Sequence, residues 1–206
     1  MIAVIDYGCG NLHSVKNAFL SLGANVITTS KEVQIKNADR LVLPGVGSFG
    51  YGMKKLIESD IIHSLTEEVI NNGKPILGIC LGQQLMVKKG YEGGVHDGLG
   101  WLDGIVEKLH PGSPPLPLPH VGWNEVFAET DFDLFDNLGK SPTFYFTHSY
   151  AIKFNDETKQ KTAWCEYGSP FPAAVQKDNI AATQFHPEKS QDVGLQFLQN
   201  FIEWEP

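Results

Sequence analysis

Cysteine is scarce. The 206-residue chain holds three, Cys9, Cys80 and Cys165, far apart and without a C-x-x-C pair. Such an odd, scattered set excludes a disulfide framework and the usual zinc spacings, and it predicts a reducing compartment, the cytoplasm. Basic residues are also few: 16 Lys and Arg stand against 24 Asp and Glu, for a net charge of −8, and the pI is near 5.3. With no run of lysines or arginines, neither nucleic acid nor an anionic membrane surface is expected as the main partner. No apolar stretch approaches the ~20 residues that cross a bilayer. The opening Met-Ile-Ala-Val-Ile-Asp lacks the basic region and the length of a secretory signal, so none is expected. No internal repeat and no cluster of metal-ligating residues is visible, and neither a metal nor a cofactor is expected.

What is present is the composition of a soluble globular protein, 42% apolar and 19% charged. The length suits one domain, residues 1–206, with a substantial core. Ile2–Ile5 reads as a buried strand. Asn11 is placed to cap a helix whose Val15, Ala18, Phe19 and Leu22 share one face, and Gly23 closes it. A strand at Val26–Thr28, a short helix over Lys31–Ala38 and a strand at Arg40–Leu43 complete a β-α-β-α-β order, which predicts a parallel sheet covered by helices. Two helical stretches, Gly52–Glu58 and Ile61–Asn71, lead to an apolar strand from Pro75 that runs into a helix reaching Met86.

Beyond this point the pattern changes. Gly90–Gly100 is turn-like, and Trp101–Leu109 alternates like a strand. The prolines of His110–Pro119 favour an extended, polyproline-type surface connection. Thr143–Tyr150, Thr162–Tyr167, Ala173–Gln176 and Ala181–Phe185 read as late antiparallel strands. Ser190 caps a last helix with Leu195, Leu198 and Ile202 on one face. The fold class is therefore α/β: an open, mostly parallel, flavodoxin-like sheet flanked by helices, with additional antiparallel strands.

Three stretches carry chemistry. Gly78-Ile79-Cys80-Leu81-Gly82 has the G-x-nucleophile-x-G form of a strand–nucleophile–helix elbow. Its glycines suit a turn where a Cβ would meet neighbouring backbone; the bland alternative is a small buried thiol. The second stretch is Pro44-Gly45-Val46-Gly47, a flexible loop at a strand's carboxyl end, where open α/β sheets bind ligands. It lacks the G-K-[ST] ending of a phosphate loop. An oxyanion hole or a plain turn remains. The third is Gln184-Phe185-His186-Pro187-Glu188. Pro187 favours extended backbone at His186, so the imidazole and the Glu188 carboxylate project to one side, as a base and the group that orients it. A loop histidine beside a solvated acid is the alternative.

Together these segments resemble the class I, triad-type glutamine amidotransferases. The resembling stretches span nearly the whole chain: IAVIDYGCGNLHSVKNAF, LVLPGVGSFG, PILGICLGQQL, LPLPHVGWNEV, FYFTHSYA, FPAAVQKDNI and TQFHPEKSQ. The resemblance implies that Cys80 attacks the γ-carboxamide of glutamine, with His186 as base and Glu188 orienting it. It implies an oxyanion hole from Leu81 and the Gly45, Val46 and Gly47 loop, its donor turned away until a partner binds ligand. Substrate contacts would come from Gln84, His148, Ser149 and Tyr150. The branch matched best passes ammonia to a separate (β/α)8 synthase subunit that forms imidazole glycerol phosphate in histidine biosynthesis. Asn11, His120, Trp123 and Asn124 would then face that subunit in a heterodimer. Trp123 could equally be a core aromatic.

One departure is Gln83, where a methionine or other apolar residue is common in the family. The Gly98–Leu102 and Cys165–Gly168 segments are also similar to a branch that amidates surface-polysaccharide sugars. The rivals outside the family's chemistry are a cysteine peptidase and a catalytically silent regulatory subunit.

Overall fold

A computed structural model describes residues 1–110, 112–128, 131–155 and 160–206. In chain order the elements are β1 (Ile2–Ile5), α1 (Leu12–Ser21), β2 (Val26–Thr29), α2 (Glu32–Asn37), β3 (Arg40–Gly45) and α3 (Phe49–Glu58). Next come α4 (Ile62–Thr66), continued by a π-helical turn (Glu67–Asn71), β4 (Ile76–Cys80), α5 (Leu81–Leu85), β5 (Val87–Gly90), β6 (His96–Asp97) and β7 (Leu102–Lys108). The rest is β8 (His120–Glu125), β9 (Phe127–Ala128), β10 (Thr143–His148), β11 (Tyr150–Phe154), β12 (Lys161–Tyr167), β13 (Ser169–Lys177), β14 (Ile180–Thr183) and α6 (Gln191–Glu203).

The main sheet runs β2-β1-β3-β4-β14-β13-β12-β9. Its first five strands are parallel, and the β14-β13-β12-β9 side is antiparallel. Alternate residues of the parallel strands feed two cores. Ile2, Val4, Val42, Leu77 and Ile79 meet Phe19 of α1 and Phe197, Leu198 and Phe201 of α6. Ala3, Ile5, Leu41, Leu43 and Ile76 meet Ile35, Met53, Leu56 and Leu65 on the opposite face. Burial on both faces explains why these strands read as unbroken apolar runs. Each fully buried Leu, Ile or Phe adds roughly 1.5–3 kcal/mol to the transfer term. A second sheet, β11-β7-β5-β6, and a ribbon, β8-β10, sit apart in hydrogen bonding from the first.

The structure departs from expectation in five places. The helix after Cys80 stops at Leu85, because Val87–Gly90 forms β5, paired parallel to β7. Two exposed lysines, Lys88 and Lys89, hide that strand in the sequence. The strand at Ala181–Phe185 is antiparallel only to β13; towards β4 it is parallel. Within His110–Pro119, residues 112–115 turn, with Gly112 at φ +82, instead of running extended; Pro111 lies outside the described residues. The face of α6 that is fully buried comprises Phe197, Leu198 and Phe201, with Leu195 and Ile202 at its margin. Ser190 precedes α6 but does not cap it through its side chain. Its hydroxyl donates to the His186 carbonyl at 2.7 Å and accepts from Tyr145 N at 3.0 Å, which ties the base-bearing loop to β10.

Candidate active site

Three adjacent strands, β3, β4 and β14, bring their carboxyl ends together, the edge where open α/β sheets place ligands. Cys80 ends β4 with φ +54 and ψ −111, a backbone state costly for a residue with a side chain, of order 1–3 kcal/mol. The neighbouring glycines make the turn feasible. A Cβ on Gly82 would lie 1.8 Å from the Leu43 carbonyl oxygen, and one on Gly78 would lie 3.0 Å from Gln83 Cα. Gly45, the register partner of Cys80, is equally confined: a Cβ there would stand 2.6 Å from Tyr7 Oη and 2.8 Å from Gly82 N.

Beyond β14 the chain delivers His186, which is 1% exposed. Its Nδ1 lies 2.8 Å from Glu188 Oε1, and the carboxylate holds the ring. Nε2 is buried and unbonded. Burial opposes charge on this imidazole, but the neighbouring Cys80, and then Glu188, outweigh it and raise the pKa to about 10. The Cys80 and Glu188 neighbours thus favour the protonated ring over the neutral one. Phe185, immediately before His186, stacks on Phe144 at 3.9 Å and anchors the segment in the core.

Cys80, Leu81, Val46, Gly47, Gln84, His148, Ser149, Tyr150 and His186 all line one cavity of about 290 Å³. A larger hollow of about 580 Å³, bounded by β7, β11, β12 and β13, contains none of them. Gly45 lies beneath the loop, fully inside, whereas Val46 is 43% exposed at the rim and Gly47 adopts φ +104. Gln84 Nε2 donates to Tyr150 O at 2.9 Å and to Gln184 Oε1 at 2.8 Å. The amide thus braces the cavity wall from within. Ser149 O accepts from Leu109 N at 2.9 Å, so the β10–β11 corner is pinned by its carbonyls.

Gln184 and Glu92 were given no role by sequence reasoning. Gln184 Nε2 points at Cys80 Sγ at 3.7 Å. Its spacing of two from His186 on extended backbone was a usable signal. Glu92 also lines the cavity, and its Oε2 accepts from Phe49 N at 2.8 Å, at the start of α3. Nothing local marks it beyond a charge in a glycine-rich turn. Tyr7 packs against the same turn: its buried hydroxyl is unbonded, and burial, with Cys9 and Cys80, drives its pKa up, so it stays a phenol.

The residues expected at a partner surface divide. Trp123 is 46% exposed and sits edge-on to Tyr145, so it is not a core aromatic. Asn11 is half-buried and accepts from Ser14 N at 3.4 Å, capping α1 as expected. Asn124 is half-buried. His120 is 1% exposed, stacked between Tyr167 and Phe146, and cannot itself be a contact surface. Along a strand, residues three apart face opposite ways, which puts His120 in and Trp123 out. Among the described residues no cluster of three His, Cys, Asp or Glu side chains is placed to hold a metal.

A cysteine on a strained strand-to-helix turn, with a histidine–carboxylate pair at the neighbouring strand's end, is the arrangement that nucleophilic thiol chemistry requires. The sequence model of glutamine amidotransferase class-I matches residues 3–204, and the chain belongs to that family. It is 48% identical to imidazole glycerol phosphate synthase subunit HisH 1 of Campylobacter jejuni, covering 98% of this chain and 99% of that one. It is 45% identical to imidazole glycerol phosphate synthase subunit HisH of Zymomonas mobilis, covering 100% and 96%. Among solved structures, a glutamine amidotransferase superposes with TM-score 0.74 at 20% identity, covering 98% of this chain and 99% of that one. PurLQS from Thermotoga maritima gives TM-score 0.71 at 18% identity, covering 98% and 97%. These likenesses share the fold.

Proposed function

We propose that this chain is the glutaminase subunit of an imidazole glycerol phosphate synthase and that residues 1–206 act as one amidotransferase domain. Cys80 gives its thiol proton to His186, Sγ attacks the δ-carbon of bound glutamine, and the oxyanion is met by N–H groups of Leu81 and the Gly45-Val46-Gly47 loop. The proton on His186 passes to the departing nitrogen, ammonia leaves, and a γ-glutamyl thioester remains on Cys80. Water then gives a proton to His186, attacks the thioester and releases glutamate. The sum is glutamine plus water to glutamate plus ammonia. Glu92 offers the substrate ammonium a carboxylate, while Gln84, His148, Ser149 and Tyr150 hold its backbone. The cavity of about 290 Å³ suits an amino acid and not a peptide chain, which disfavours a peptidase.

Ammonia would pass to a (β/α)8 synthase subunit. Support for that acceptor comes from the two HisH relatives, similar over nearly their full length. The exposed apolar side chains of Val121, Trp123 and Phe127 supply a surface for the partner, and Asn11 and Asn124 are assigned to the same role. The chemistry belongs to the cytoplasm, and no helix among the described residues is long and apolar enough to cross a membrane.

The single observation that carries the reading is Cys80 at φ +54 in one cavity with a Glu188-bonded His186. The test is Cys80→Ser in the complex. Glutamine-dependent synthesis is expected to vanish while ammonia-dependent synthesis persists. Loss of neither, or of both with the fold intact, refutes the assignment.

A further inference from the structure

A buried hydrogen-bonded chain connects β8 to the nucleophile. His120 Nδ1 lies 3.0 Å from His148 Nε2, and His120 Nε2 lies 3.0 Å from Asn124 Oδ1. His148 Nδ1 lies 2.9 Å from Tyr150 O. The same carbonyl takes Gln84 Nε2, which reaches Gln184 Oε1, and Gln184 Nε2 points at Cys80 Sγ. His120, His148, Gln84 and Gln184 are all buried, so a broken link leaves a polar group without water.

The direction of the chain follows from its ends. A carbonyl can only accept, so His148 carries its proton on Nδ1. Burial, its largest cause, holds the His148 pKa down to about 3, which leaves Nε2 a lone pair. His120 must then donate from Nδ1. Burial also lowers the pKa of His120, so the ring stays neutral and its Nε2 accepts; the Asn124 amide, whose Oδ1 stands at 3.0 Å, must then exchange its two ends and present its NH2 to the ring. Both rings are thereby fixed in the same tautomer, and His120 is clamped flat between Tyr167 at 3.9 Å and Phe146 at 4.9 Å.

We propose that His120 is a positioning residue for glutamine hydrolysis: its Nδ1–H fixes His148, its register partner across β8 and β10, and through it the Thr147–Tyr150 wall that holds the substrate. This rests on the glutaminase reading. The mechanism does not use His120 otherwise, and its burial removes it from the surface where its neighbours Val121 and Trp123 lie.

The test is steady-state glutamine hydrolysis by this chain in complex with its synthase subunit. His120→Phe keeps an aromatic ring in the stack and removes both hydrogen bonds. It is expected to raise KM for glutamine about tenfold, equivalent to ~1.4 kcal/mol, with kcat within about threefold because the triad is untouched. His120→Asn puts an NH2 where Nδ1 stood and is expected to bring KM back to within about threefold of wild type. An unchanged KM in His120→Phe, or equal shifts in both variants, overturns the proposal. Proton–nitrogen correlation NMR of wild type gives an answer even where a variant does not fold: both rings should carry Nδ1–H, and Nε2–H on His148 contradicts the chain. A wild-type complex that does not hydrolyse glutamine overturns the glutaminase reading itself, so the two failures are distinct.

Discussion

His186 and His148 line the same cavity, both almost fully buried, and their proton affinities move in opposite directions. Burial lowers the pKa of each. For His148 it prevails, reinforced by His120 and His186 against the pull of the Tyr150 carbonyl, and the pKa falls to about 3. For His186, Cys80 and Glu188 reverse it to about 10. Burial alone favours the neutral imidazole; burial beside Cys80 and Glu188 favours the protonated one. One small cavity thus obtains both parts from the same residue type.

The strongest way to break this contrast is Glu188→Gln, which keeps the shape of the carboxylate and deletes its charge. Glutaminase kcat is expected to fall by ~10²–10⁴-fold, the scale seen when the orienting acid of a triad is neutralised. The pH profile of kcat/KM should shift with it, since His186 loses an anion. A decrease below about threefold would detach Glu188 from catalysis.

The two histidines should also stabilise the fold in different pH ranges. His148 is depressed from 6.5 to about 3, so the unfolded chain takes the proton first as acid is added. The stability of its neutral form is complete above pH 6.5 and lost as the pH falls towards 3. At about 1.4 kcal/mol per unit this amounts to several kcal/mol. His186 is raised, so its contribution is complete below pH 6.5 and lost as the pH rises through about 10. Urea titrations from pH 4 to 7 should show falling stability in acid, with a shallower slope in His148→Gln. An unchanged slope contradicts the assignment of the acid limb to His148.

Two smaller effects sharpen the contrast between paired and unpaired groups. Trp123→Ala should weaken synthase-subunit binding by about 2 kcal/mol, roughly thirtyfold in Kd, if the exposed ring is an interface anchor. Calorimetric titration checks it, and wild-type affinity removes Trp123 from the interface. Gln83 is fully buried, and both its amide atoms are unbonded. Gln83→Met, similar in volume and without those atoms, should stabilise the chain by ~1–3 kcal/mol with glutaminase activity unchanged. A lower Tm would mean that the amide has a role in the fold.

How much of this was legible depends on which forces write themselves into local sequence. The parallel strands were readable because burial on both faces makes β1, β3 and β4 continuous apolar runs. The elbow was readable because only glycine tolerates the approach of Leu43 O to position 82. The strand Val87–Gly90 was not, since its two central lysines face water and its partners come from later in the chain. His120 was placed on the wrong side of β8 by its nearness to Trp123, although the two-residue period of a strand separates them. The Asn124–His120–His148–Tyr150 chain joins segments about 28 residues apart, and no periodicity reports which polar side chains will meet there. Glu92 was invisible for the same reason.

The claim on which all else depends is that Cys80 carries the acyl group. Rapid mixing of the complex with glutamine, acid quenching and peptide mass analysis measures it directly. The expected result is one γ-glutamyl thioester, on the peptide containing Cys80 and sensitive to hydroxylamine. Glutamine hydrolysis that continues with Cys80 unmodified, or in Cys80→Ser, would contradict the account.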